Sequence, residues 1–140
     1  MITCVAMILG VSLSELPALA MNVESEARAL TAQTEVTPGF ITQIQTFSGD
    51  AERLSVALRQ AGVAQDLPCI FHGISQDANE RVTELQGAHT DTERTMAFND
   101  LHALLSDAIL IAPMAASAAA DRVAAAEAAE PAQTASSEQH

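Results

Sequence analysis

The chain has 140 residues, enough for one ordinary domain, with six basic residues against 18 acidic ones and a formal net charge of -12. That balance repels phosphate backbones and anionic lipid headgroups, so nucleic acid and charged membrane surfaces are not expected partners. Trp and Tyr are absent and four Phe are the only aromatics, which removes the side chains that most often anchor binding hot spots and base-stacking platforms.

All six basic residues are Arg, and with abundant Ala this fits a GC-rich bacterial genome. The first twenty residues, MITCVAMILGVSLSELPALA, hold an apolar run from Ile2 to Leu13 and end in Ala18-Leu19-Ala20. A dozen or so apolar residues followed by A-x-A predict a secretory signal peptide over 1–20, cut after Ala20 and too short to span a bilayer. Its n-region lacks Lys and Arg, which a misassigned start codon would explain. The competing reading is a buried N-terminal helix. Export implies a periplasmic or secreted protein with no membrane span after cleavage. Cys4 would leave with the signal peptide, so Cys69 would be the single thiol of the mature chain and no internal disulfide could form.

Residues 21–36 are polar, with Val23 and Leu30 as their sizeable apolar groups, and predict a linker or frayed helix. A helical domain is then expected over 37–112. Thr37-Pro38 suits an N-cap and first helical position, and Phe40, Ile41, Ile44 and Phe47 recur at helical spacing until Ser48-Gly49. Asp50 caps a second helix with Leu54, Leu58 and Ala61, stopped by Gly62. A third runs from Asp66 to about Gln86. Thr90-Asp91-Thr92-Glu93 fits the S/T-x-x-E capping box of a fourth, with Ala97, Leu101, Leu104, Leu105 and Ala108, ended by Pro113. Residues 113–140 are Ala-rich and predict a fraying, then disordered, tail. No β-alternation is visible, so the fold class is all-α, a small bundle of about four short helices. A core of 37–112 alone would be marginal, which favours self-association or a protein partner.

The third helix carries the one concentration of chemistry. At about 100° per residue, Leu67, Ile70, Phe71, Ile74, Ala78, Val82 and Leu85 gather on one side as the core face. Cys69 and His72 point about 160° and 140° from its centre, with Gln76, Glu80 and Thr83. Gly73, one turn after Cys69, leaves a notch where another backbone could approach. Cys69 sits in the first turn, where the helix dipole favours a thiolate, and a protonated His72 would add to that. C-x-x-H lacks a resolving cysteine and a preceding strand, so redox chemistry is the lesser reading.

Metal binding is not expected. Cys69 and His72 give at most two ligands where a structural zinc site wants four, and His89, His102 and His140 have no ligand-spaced neighbour. His102 reads as a boundary residue with its tip in water. Asp77, Glu80 and Glu84 read as a solvated flank in which Asp77 pairs with Arg81. No phosphate loop, dinucleotide turn or serine elbow is present, and no cofactor is expected.

These features predict a small exported structural or interaction protein without catalysis, which associates through Cys69, His72, Gly73 and Gln76 with a second copy or a protein partner. One alternative is a thiol-dependent redox or stress protein with Cys69 as nucleophile and His72 as base. The other is a cytoplasmic accessory protein with an uncleaved N-terminus.

Overall fold

The computed structural model describes residues 11–64 and 66–138, with side chains to residue 129. Most of the expected signal-peptide run, with Cys4, lies outside the described residues, as does His140. One 3₁₀ turn, Leu13–Glu15, leads into four helices: α1 (Leu16–Thr31), α2 (Pro38–Gln60), α3 (Asp66–Gly87) and α4 (Asp91–Glu138). No strand occurs among the described residues, so the chain is all-α as its periodicity predicts.

The helices form an up-down-up-down bundle in which each packs on its sequence neighbours and α1 closes the ring on α4. Three sets of side chains give the antiparallel register. Leu16 lines one groove with Ala57 and Ala61, and Leu30 lines another with Thr42. Ser48 bonds Ser75, and Ser55 bonds Pro68. Asp77 shares a groove with Asp107, and Glu84 shares another with Ala97. The core is filled by Phe40, Phe47 and Phe71 with Leu16, Ile44, Leu54, Leu58, Leu101 and Leu105, all almost fully buried. Each such side chain contributes about 1.5–3 kcal/mol of transfer free energy.

The caps at Thr37 and Thr90 act as the sequence predicts, whereas Asp50, expected to cap a second helix, lies inside α2. Thr37 Oγ1 accepts from the Phe40 N–H at 3.0 Å, and Thr90 Oγ1 accepts from the Glu93 N–H at 3.1 Å. The Glu93 carboxylate reaches one residue further back than the simple capping box, to the His89 N–H at 2.8 Å. Gly62 ends α2 with φ of +77°, a left-handed conformation that favours glycine, and its carbonyl accepts from Arg122 of α4.

Three expectations are corrected. The segment read as a linker or frayed helix over 21–36 is mostly packed into α1, and Val23, Ala27 and Leu30 are core residues. Its few apolar groups suffice because they fall at i, i+4 and i+7, together with Leu16, Leu19 and Ala20. Next, α2 does not break at Ser48-Gly49. Ser48 is buried and donates to the Ser75 carbonyl at 2.9 Å, and the apolar stripe runs on through Ala51, Leu54 and Leu58. Finally, α4 does not stop at Pro113. An interior proline removes a backbone donor and costs about 3 kcal/mol. Here its ring is exposed while Ala112, Ala115 and Ala119 are fully buried on the inner side. Small side chains let helices approach closely, so alanines that looked too small to hold a tail serve as core against α1.

The helix count of four therefore agrees for compensating reasons: two expected helices merge and one arises from the expected linker. The core extends well beyond 37–112, so the argument that a marginal bundle needs a partner lapses. In α4, Asp91–Ala129 is long and apolar enough to cross a bilayer by length and composition. In the bundle its inner face from Ala97 to Ala119 is buried. Forty-eight residues make a rod of about 72 Å, and α4 runs past the bundle with Ala124 to Ala129 exposed.

Candidate functional site

The core face of α3 is formed by Phe71, Ile74, Ala78, Val82 and Leu85, with Pro68 and Ser75 buried beside them. Leu67 is half-buried and Ile70 is 38% exposed. The buried arc is thus turned toward α2 relative to the expected one. The cause is polar: Ser55 Oγ donates to the Pro68 carbonyl at 2.6 Å, and the Ser48 and Ser75 hydroxyls meet at 3.0 Å, drawing that side of α3 inward.

The residues expected to form a face do so in part. Cys69 and Gln76 are exposed, and His72 and Gly73 are half-buried, with His72 at the α2 edge. His72 Nδ1 lies 2.8 Å from Glu52 Oε2 of α2, an ion pair when the ring is protonated. Nothing stands within 4 Å of where a Gly73 Cβ would be, so the notch is open. Val56, one residue past the serine that holds Pro68, is 40% exposed at the same end of the helix pair. The result is an α2–α3 face with an exposed, unbridged thiol.

The three residue types of a nucleophile, base and orienting acid are present in Cys69, His72 and Glu52. The contact that would couple them is absent: no hydrogen bond joins Cys69 to His72 among the described residues, and the His72 bond goes to Glu52. No group of three or more His, Cys, Asp or Glu among the described residues could hold a metal ion. His102 departs from its expected setting. Its ring lies on Phe98 at 4.4 Å between centroids, and Nε2 is buried without a hydrogen-bond partner. Arg81 pairs with Glu80, Glu84 and Asp100 at 3.1–3.6 Å rather than with Asp77.

The most perturbed group lies where a linker was expected. Glu26 of α1 faces Asp50 and Arg53 of α2 beside an open groove of about 250 Å³ lined by Ala29, Leu30, Thr42, Gln43 and Thr46. Burial first, then the hydrogen bond and like charge of Asp50, push its carboxyl up from 4.5 to about 8, against a smaller lowering by Arg53. Arg53 is engaged with Asp50 at 3.1 Å. As a carboxylate, Glu26 keeps one buried oxygen without a donor; a proton on it supplies the bond to Asp50. No sequence signal marks Glu26, because its cost arises only when α1 docks on α2.

Comparison of the chain with protein-family models, curated proteins and solved structures finds no match.

Proposed function

We propose that this protein is a helical interaction module that works by binding, through the α2–α3 face of Val56, Cys69, Gly73 and Gln76, to a second copy of itself. The observation that carries this reading is the open Gly73 notch beside an exposed thiol and an exposed Val56. The surface suits close approach of another helix. The Glu52–His72 pair braces the face across α2 and α3.

The same proposal keeps the first helix whole. Leu16 and Leu19 are 1% and 8% exposed and Ala20 is fully buried, so a cut after Ala20 would remove three core residues. Their burial favours a retained segment over cleavage at that bond, and with it the uncleaved alternative over export by that route.

Native mass spectrometry of the full chain, first without and then with reductant, tests both parts. The expected result is a chain that retains residues 16–20 and self-associates, with Gly73→Leu abolishing association while the helical circular-dichroism spectrum stays unchanged. A chain beginning at Met21, or an association indifferent to Gly73→Leu, overturns the corresponding part.

A further inference from the structure

A second surface lies on the outer side of α4. Among the described residues, three of the six large apolar side chains exposed on the protein, Met96, Leu110 and Met114, belong to this one helix at 61%, 73% and 60% exposure. They fall on a single line. Met96, Asp100, Ala103, Asp107, Leu110, Met114, Ser117 and Asp121 alternate in steps of four and three, and all eight are exposed. This is the spacing of a coiled-coil seam, and it points away from the core formed by Ala97, Leu101, Leu105, Ala108 and Ala112. From Met96 to Asp121, 26 residues, it is about 38 Å long.

The seam has two kinds of position. One set reads Met96, Ala103, Leu110, Ser117, and the other reads Asp100, Asp107, Met114, Asp121. Two open grooves flank it on the α3 side, of about 430 Å³ with Glu84, Glu93 and Asp100, and of about 320 Å³ with Asp77, Asp100 and Asp107. Among the described residues, Arg81 is the one cation lining them, and it is shared among Glu80, Glu84 and Asp100. Asp77 and Asp107 have no ion pair among the described residues. An apolar line interrupted by carboxylates favours a partner with the complementary alternation. A parallel second copy would set Asp100, Asp107 and Asp121 against their own equivalents, where like charges repel.

We propose that the outer seam of α4 docks a basic amphipathic helix of a partner protein, which places Leu-type side chains on Met96, Leu110 and Met114 and Lys or Arg over Asp100, Asp107 and Asp121. This surface is distinct from the α2–α3 face and does not depend on it.

The test uses the full chain and two synthetic helices of about 25 residues in matching heptad register, one with Lys and Leu and one with Glu and Leu at the seam positions. Binding is followed by fluorescence anisotropy. The Lys/Leu helix binds, and the Glu/Leu helix binds at least about tenfold more weakly. Leu110→Ser with Met114→Ser, and separately Asp107→Lys, each weaken the Lys/Leu helix by about tenfold or more, while Met21→Ser on α1 leaves it within about twofold. The substituted side chains are exposed, so thermal melts stay unchanged. Equal binding of both peptides, or equal losses from Met21→Ser and the seam variants, overturns the proposal. So does a wild-type dimer that the Leu110→Ser/Met114→Ser variant dissolves, which would make the occupant a second copy.

Discussion

The two contacts made by α2 differ in how they treat buried polar groups. Toward α3, each buried serine is satisfied: Ser48 bonds the Ser75 carbonyl and hydroxyl, and Ser55 bonds the Pro68 carbonyl. Toward α1, Glu26 meets Asp50, an oxygen lacks a donor and a groove stays open. Hydroxyls of small residues can donate and accept without separating two helices, whereas two facing carboxyls need a proton between them to bond and repel once both are ionised. The α2–α3 pair is therefore the settled half of the bundle. The α1–α2 contact is the half that responds to solution conditions.

Removing the apolar centre of the settled half has the largest expected effect. Phe71→Ala, at a side chain with no exposed surface, costs about 3–5 kcal/mol in chemical denaturation. A loss under about 1 kcal/mol would mean that α3 is held by its serines rather than its core.

Ser48→Ala is expected to cost less, about 1–2 kcal/mol, because the Ser75 hydroxyl loses its partner in a buried setting. A neutral result would show that Ser75 turns to its own helix instead.

Glu26→Gln changes the pH profile more than the stability at any one pH. The folded carboxyl is raised to about 8 from 4.5, so the folded state binds the proton more tightly than the unfolded chain does. Stability from this group is full below about pH 4.5 and is lost as pH rises through about 8. Melts of the wild type between pH 5 and 9 should show Tm falling as pH rises. Glu26→Gln should flatten that fall and raise Tm by a few degrees at the alkaline end. An unchanged slope would place Glu26 in water and remove the contrast between the two halves.

The sequence was sufficient for the all-α class, the caps at Thr37 and Thr90, the stop at Gly62 and most of the core of α3. These follow from local chemistry: a side-chain acceptor for an orphan N–H, a glycine for positive φ, and apolar residues at helical spacing. It also carried the outer seam of α4, since the four-three spacing from Met96 to Asp121 is written in the residue order. It could not say that this line faces solvent, because the core stripe from Ala97 runs one position beside it.

Tertiary structure decided the rest. Whether Ser48-Gly49 breaks a helix depended on Ser75 waiting across the interface to take a hydrogen bond. The role of Ala112, Ala115 and Ala119 depended on α1 packing close enough for a methyl group to fill the gap. Glu26 became a perturbed acid only because antiparallel docking set it against Asp50. Each of these is a property of two segments distant along the chain. Local propensity fixes where helices can form, while the partner each face meets determines where they end, what they bury and which groups titrate.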